Sequence, residues 1–298
     1  MIKQPFSYYG GKQRIASKII PYIPRHAVYV EPFCGGATIL FNKKTPKITN
    51  SHHYREIIND TNDMVINFYR VLQDEKKAKK LIYKLEMTPY SQTIHKECKN
   101  KNKNQIWEND IDKAYCFYVG IQKGFSNILN SGFGYEVKGR NSPSIFLNKT
   151  KNLYSFVDRL KKVYIFNEDA LNIIKRFDSP QSFFYIDPPY LAGASQGHYA
   201  GYTEKNYKEL LTVLENLRGN FVLSCYKTGL EPNKWKEVNF SSVNSSANGK
   251  QRLTQNTKRT ETIFIKDNGG GIEQEYFRKT YNRPEFAEIW PIEEKNNV

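Results

Sequence analysis

The sequence predicts an α/β fold built on a mostly parallel sheet, and three observations predict it. Short apolar runs with strand character alternate with stretches of helical spacing, the pattern of successive βαβ units. Several of those runs stop at a carboxylate. The alternation then breaks off between Asp74 and Leu160 and resumes afterwards, as it does when a segment is inserted into a sheet domain.

The first strand is expected at 27–31, Ala-Val-Tyr-Val-Glu, followed at once by Pro32-Phe33-Cys34-Gly35-Gly36. The second, Glu56-Ile-Ile-Asn59, ends at Asp60. Met64, Val65, Phe68, Val71 and Leu72 then share one helical face, with Asp60 or Thr61 as its cap. From Asp74 the chain turns basic and Asn-rich, with one helix expected over 111–122 and a Gly/Ser/Asn loop over 124–144. Val163 to Phe166 reads as a strand and Asp169 to Phe177 as a short helix. Ser182-Phe-Phe-Tyr-Ile186 is apolar enough to be covered on both faces, and it stops at Asp187-Pro188-Pro189-Tyr190. An amphipathic helix follows over 207–217, then strands at 220–224 and 261–265, with 241–259 read as a polar loop carrying Lys250, Arg252, Lys258 and Arg259. Ligands of such a sheet lie outside the carboxyl ends of its strands, so Glu31, Asp60, Asp169 and Asp187 should converge on one crevice.

Composition narrows the function. The 298 residues carry 45 Lys plus Arg against 30 Asp plus Glu, a formal net charge of +15. Residues 76–162 hold 18 of those basic residues and 7 of the acidic ones, so net +11 is concentrated there. Interleaved with Tyr, Phe and Trp107, such a segment suits a polyanion, because each neutralised phosphate releases counterions. A lysine-rich solvated face in a compositionally biased chain is the bland alternative. Hydrophobic residues make up 39% of the chain, enough for a real core and against disorder. No unbroken apolar run matches a bilayer's width, and the first residues lack the pattern of a signal peptide, so a cytoplasmic setting is expected. Cys34, Cys98, Cys116 and Cys225 are scattered without a Cys-x-x-Cys pair, so neither a zinc site nor a disulfide framework is expected.

Asp187-Pro188-Pro189-Tyr190 is the most specific motif. Two prolines fix φ and remove two backbone donors, leaving carbonyl acceptors beside the Asp187 carboxylate and the flat face of Tyr190. That set suits an exocyclic amine held by both hydrogens while its ring stacks. Glu31-Pro-Phe33-Cys-Gly35-Gly36 allows close approach to the backbone but is not a full dinucleotide fingerprint, and a plain βα turn explains it equally well. Asp60 could accept from ribose hydroxyls or cap a helix. Tyr8-Tyr-Gly-Gly11-Lys12 could bring a cation to an anion, though alone it reads as a surface loop.

In this order, with a basic insertion between Asp60 and Asp169, these motifs resemble those of the Dam-type DNA adenine-N6 methyltransferases, over about residues 6 to 265. The resemblance implies a Rossmann-like S-adenosylmethionine-dependent methyltransferase sheet with helices on both faces. It also implies a mainly helical target-recognition domain at 74–160, inserted into a cofactor-binding catalytic domain of 1–73 and 161–298. By resemblance Tyr8, Gly11 and Lys12 belong to the cofactor site, with Tyr8 where the family usually has Trp. Glu31, Phe33 and Gly35 surround the methionine part of S-adenosylmethionine, Asp60 holds the ribose, and Asp169 holds the adenine amine. Asp187, Pro188, Pro189 and Tyr190 form the catalytic motif, with Asp187 also facing the cofactor.

The expected activity is methylation of adenine N6 in a short duplex DNA sequence after base flipping, without a metal or a covalent enzyme intermediate. Tyr190 takes one face of the base, Tyr199 and Tyr202 are further candidate walls, and the glycine-containing loop 191–201 is expected to close over it. Lys123, Asn127, Lys138, Arg140, Lys250 and Arg252 are the candidate DNA contacts. Double-stranded DNA in the nucleoid of a bacterial or phage-infected cell is the expected partner. A separate restriction endonuclease would be a second chain, and the protein is expected as a monomer or weak dimer. The alternatives are an N4-cytosine or RNA-adenine enzyme, or a catalytically silent DNA-binding regulator.

Overall fold

In the computed structural model, residues 3–8, 10–44, 54–137, 139, 141–191, 201–243 and 258–266 are described. Strands β1 (Val28–Glu31), β2 (Arg55–Asn59), β3 (Val163–Phe166), β4 (Ser182–Ile186), β5 (Asn220–Cys225), β6 (Lys236–Val243) and β7 (Lys258–Lys266) form one sheet. Its order is β3-β2-β1-β4-β5-β7-β6, with β3 to β5 parallel and β7 antiparallel to both neighbours. The chain winds outward from β1 to β3, then restarts at β4 on the other side of β1. That reversal opens a crevice over the carboxyl ends of β1 and β4.

Successive strand residues point to opposite faces, and the apolar runs fill two separate cores. Tyr29, Ile58, Phe183, Tyr185, Val222 and Ile263 belong to one. Val30, Ile57, Phe184, Ile186, Leu223 and Phe264 belong to the other, beneath α9 (Ala170–Phe177) and α10 (Glu204–Glu215). The first face is covered by α1 (Ala16–Ile19), α2 (Thr38–Asn42), α3 (Asp63–Gln73) and the inserted helices, whose Cys98, Phe117, Phe146 and Leu160 share its core. Phe6 bridges the two parts, packing edge-on against both Phe68 and Phe117.

The insertion departs most from the sequence expectation. Five helices stand where one is expected: α4 (Glu75–Glu86), α5 (Gln92–Asn104), α6 (Asp110–Gln122), α7 (Ser142–Lys151) and α8 (Tyr154–Leu160). The Asn and Asp residues that suggest loops are caps. Asp74 accepts from Lys77 N, Asn109 from Asp112 N and Asn141 from Ser144 N. Ala78, Leu81, Ile82 and Leu85 bury one face of α4 at helical spacing, whereas α5 buries only His95, Cys98 and Asn102, so its periodicity is faint. The cap of α3 is likewise Asn62, which accepts from Met64 N, rather than Asp60 or Thr61. The expected loop at 124–144 contains a 3-10 turn, Phe125–Asn127, closed by a bridge between Gly124 and Phe133, and ends at α7. Strand β6 was not anticipated, and the segment read as a loop from 241 begins and ends in strand.

Part of the positive charge of residues 76–162 is spent internally. Buried Asp112 receives Lys84 at 3.2 Å and Lys101 at 2.9 Å, tying α4 and α5 to α6. Lys113 pairs with Asp63, and Lys161 with Glu75. Among the described residues no helix is long and apolar enough to cross a membrane.

Candidate active site

Asp187 stands one residue past β4, at the reversal of strand order. Lys12, from the loop before α1, reaches it across the crevice. Its Nζ donates to Asp187 Oδ1 at 2.8 Å and to the Gly10 carbonyl at 2.9 Å. Gly10 has φ +75°, a left-handed conformation open to glycine, which lets the turn present its carbonyl to its own lysine.

A second carboxylate completes this cluster, one that sequence reading did not single out. Glu261 lies in β7, with Oε1 3.6 Å from Lys12 Nζ. The Tyr190 hydroxyl donates to Glu261 Oε1 and stands 3.2 Å from Asp187 Oδ1. Ser224, the penultimate residue of β5, donates to the same Glu261 oxygen at 2.8 Å. The Tyr190 ring packs edge-to-face on Tyr226 at 4.6 Å, with the Lys12 ammonium 4.8 Å from its centroid. The only sequence signal was a carboxylate at the head of an apolar run. Because β7 runs backwards, its start reaches the edge where the parallel strands end.

Burial sets the electrostatics. It pushes the Asp187 carboxyl up to about 6, aided by the Glu261 charge and opposed by Lys12. Burial alone would pull the Lys12 ammonium down, but Asp187 and Glu261 outweigh it and hold it above the ordinary lysine value. Burial, then the two carboxylates, keep the Tyr190 phenol protonated far into the alkaline range.

The glycine loop after β1 forms the neighbouring wall. Gly35 has φ +43°, and a Cβ there would stand 2.9 Å from Tyr8 Cδ1, so the Tyr8 ring lies directly on this backbone. A Cβ on Gly11 would meet the Tyr8 carbonyl at 2.9 Å, so the loop before α1 is equally tight. Asp60 accepts from Gly35 N and Asn62 N, both at 2.9 Å, and Asn62 Nδ2 donates to the Tyr8 hydroxyl at 3.3 Å. Burial raises the Asp60 carboxyl, against those two backbone bonds. Glu31 is turned inward: it is 1% exposed, and Tyr29 Oη and Leu40 N both donate to its Oε1. Burial pushes it up to about 7.

Asp169 follows two residues after Asn167, whose Nδ2 donates to the Asp60 carbonyl at 2.7 Å. Asp169 Oδ1 caps α9 through Leu171 N at 2.9 Å and Asn172 N at 3.4 Å, while the residue stays exposed. Its charge adds to burial in raising the Tyr202 phenol, and Tyr202 packs edge-on to Phe33 at 6.4 Å. Buried Asn59, another residue missed from sequence, staples the strand ends: its Nδ2 donates to the Pro32 and Glu168 carbonyls at 2.9 and 3.0 Å. The side chains therefore fit a nucleoside, with carboxylates to accept from hydroxyl and amine groups and rings for a flat base. At Gly35 the Tyr8 ring occupies the space where a Cβ would stand. Among the described residues no group of three or more His, Cys, Asp or Glu is arranged to hold a metal ion.

The candidate DNA contacts fare differently. Lys123 is a correction: it is fully buried, its ammonium donating to the Pro89 carbonyl at 2.6 Å beside the Phe146 ring at 4.5 Å. Burial lowers it to about 8. An interior ammonium tied to a carbonyl offers no phosphate contact. Asn127 is half-buried in the 3-10 turn with φ +55°, beside exposed Phe125. Lys138, Arg140, Lys250 and Arg252 lie outside the described residues, as do Tyr199 and residues 192–200 of the expected closing loop.

Comparison with known proteins adds identity to this geometry. The family model for D12 class N6 adenine-specific DNA methyltransferases matches residues 8–260. The chain is 27% identical over 231 residues to modification methylase StsI of Streptococcus sanguinis, covering 72% of this chain and 33% of that protein. It is 25% identical over 240 residues to type II methyltransferase M.MjaIII of Methanocaldococcus jannaschii, covering 70% and 76%. Over 70 residues, 24% of this chain and 8% of that protein, it is 34% identical to the DNA N-6-adenine-methyltransferase of Escherichia phage P1. The chain thus spans about a third of the length of the streptococcal relative and three quarters of the archaeal one.

Proposed function

The chain belongs to the D12 class N6 adenine-specific DNA methyltransferase family, and on that premise we propose that it methylates adenine N6 within a short duplex DNA sequence, using S-adenosylmethionine. The observation that carries the reading is the orientation of Asp187. Lys12 and Tyr190 both approach Oδ1, and among the described residues no hydrogen bond reaches Oδ2. Oδ2 is thus the oxygen that accepts from the target amine.

S-adenosylmethionine, when bound, supplies an electrophilic methyl group on a cationic sulfur. Asp60 and Asp169 suit its hydroxyl and amine groups, Phe33 and Tyr202 its flat base, and Gly35 under Tyr8 the close approach. Glu31, buried under Tyr29 and Leu40, fixes the start of α2 rather than touching ligand directly.

A paired adenine cannot reach a crevice at a sheet edge, so the base is extruded from the duplex. Tyr190 offers it a stacking face. Asp187 and the Pro188 carbonyl take the two amine hydrogens and aim the nitrogen lone pair at the methyl group. Positioning of this kind is worth several kcal/mol of a barrier on the order of effective-molarity arguments. The amine proton leaves to solvent after transfer, so Asp187 acts as an acceptor rather than a strong base.

Residues 74–160 read as the target-recognition domain, inserted into a catalytic domain of 1–73 and 161–298. Asn127 presents itself for DNA contact from the 3-10 turn, with Lys138, Arg140, Lys250 and Arg252 as the further candidates. The names of two relatives, a modification methylase and a type II methyltransferase, support a restriction–modification setting. We place the protein in the cytoplasm beside the nucleoid, with any nuclease a separate chain and the methyltransferase a monomer or weak dimer. Modification-sensitive sequencing of mixed duplex DNA, after incubation with protein and S-adenosylmethionine, tests the activity. N6-methyladenine at one recurring sequence, absent with Asp187→Ala, is expected. Methylated cytosine, or no methylation despite cofactor binding, would overturn it.

A further inference from the structure

Glu261 lies one residue beyond the span that the family model matches, and its carboxylate contacts the motif through the Tyr190 hydroxyl. It is 8% exposed. Burying a second carboxylate beside Asp187 is costly unless it is paired and bonded. Here it is both: Lys12 faces it at 3.6 Å, Ser224 donates to it at 2.8 Å, and Tyr190 gives it its hydroxyl hydrogen.

We propose that Glu261 is a positioning residue for methyl transfer: by taking the Tyr190 hydroxyl and sharing Lys12 with Asp187, it fixes the stacking ring and the acceptor carboxylate as one unit. The inference rests on the methyl-transfer reading above. Its physical basis is the competition for two donors. The Tyr190 hydroxyl has a single hydrogen, and Glu261 receives it, so the ring is anchored from β7 as well as by its contact with Tyr226. Asp187 then keeps only Lys12 as a full donor on Oδ1. Without Glu261 the phenol would turn to Asp187 alone and the ring would lose its second tether. Glu261 does not itself touch the reacting atoms.

The same geometry couples two charges. Asp187 is faced by Lys12 from the N-terminal loop, Glu31 from β1, Tyr185 from β4, Cys225 from β5, Glu261 from β7 and Tyr190 from its own turn. Removing one negative neighbour favours the ionised form of Asp187 and lowers the pH at which it titrates.

The test compares Glu261→Gln and Glu261→Ala with the unaltered protein by three readouts. The first is the Asp187 carboxyl-carbon NMR titration in ligand-free protein. Its midpoint, expected at about 6 in the unaltered protein, should fall in both variants. The second is single-turnover methylation at pH 8, expected to drop about tenfold to a hundredfold in Glu261→Ala. Most of that rate should return in Glu261→Gln, whose amide oxygen still accepts from Tyr190. The third is calorimetric S-adenosylmethionine affinity, expected unchanged. An unmoved Asp187 midpoint, or full turnover by Glu261→Ala, overturns the proposal. If Glu261→Ala does not fold, the Gln variant still carries the midpoint test. A midpoint that shifts in a protein inactive on every DNA sinks the methyl-transfer reading and takes the positioning role with it.

Discussion

Lys12 and Asp187 are 175 positions apart in the chain and 2.8 Å apart in the fold, with Lys12 buried and Asp187 half-buried. The pair links the loop before α1 to the turn after β4, so the N-terminal segment becomes part of the crevice wall. Because Glu261 shares the same ammonium, the cluster is a lysine between two carboxylates rather than a simple salt bridge.

Lys12→Met should therefore be severe. Two carboxylates would be left in a buried site without their common cation, a loss on the order of 3 kcal/mol. Chemical denaturation should show that loss, and DNA methylation should fall with it. A variant as stable as the unaltered protein would mean that the ammonium does not hold this cluster together.

Gly35→Ala should weaken cofactor binding. The residue has φ +43° and no room for a Cβ, which would stand 2.9 Å from the Tyr8 ring. The left-handed conformation alone costs about 1 kcal/mol for a residue with a Cβ, and relieving the contact would push Tyr8 off the loop. Isothermal titration with S-adenosylmethionine should show a loss of affinity, while Gly132→Ala, where nothing lies within 4 Å, should bind normally. Equal affinities would remove the Tyr8–Gly35 contact from the binding surface.

Lys123→Met is expected to leave the salt dependence of DNA binding alone. A phosphate contact contributes about 0.9 to the slope of log affinity against log salt, and a lysine bonded to the Pro89 carbonyl inside the insertion contributes none. A slope reduced by that amount would return Lys123 to the DNA surface. Fluorescence anisotropy at several salt concentrations decides it.

His26 should make the protein acid-sensitive. Burial first, then the charge of Lys43, lowers its imidazole from 6.5 to about 3. In the unfolded chain it titrates near its ordinary value, so as pH falls the unfolded state takes the proton first. The stability it lends is present above pH 6.5 and is lost progressively towards pH 3, at about 1.4 kcal/mol per unit of pH. Urea unfolding between pH 7 and 4.5 should show a flatter decline for His26→Gln; parallel curves would contradict a neutral buried imidazole.

The sequence carried the sheet and its motifs because both depend on short-range order. Continuous apolar runs such as 182–186 must be covered on both faces, and prolines and glycines at 32–36 and 188–189 leave a turn little choice. It failed in the insertion, where capping by Asp74, Asn109 and Asn141 looked like loop composition and where α5 has a mostly polar surface. It also misjudged Lys123, because a basic residue in a basic segment gives no sign of which way its helix end faces.

By itself the sequence determined the α/β class and the carboxylate-headed motif Asp187 to Tyr190, both of them set by neighbours along the chain. Which groups share the crevice was decided only by the tertiary structure. Parallel strands deliver their ends to one edge of the sheet, but the antiparallel entry of β7 delivers its beginning there, so Glu261 arrives beside Lys12 and Tyr190. Strand direction is a property of the assembled ladder of hydrogen bonds, and no local pattern around residue 261 encodes it.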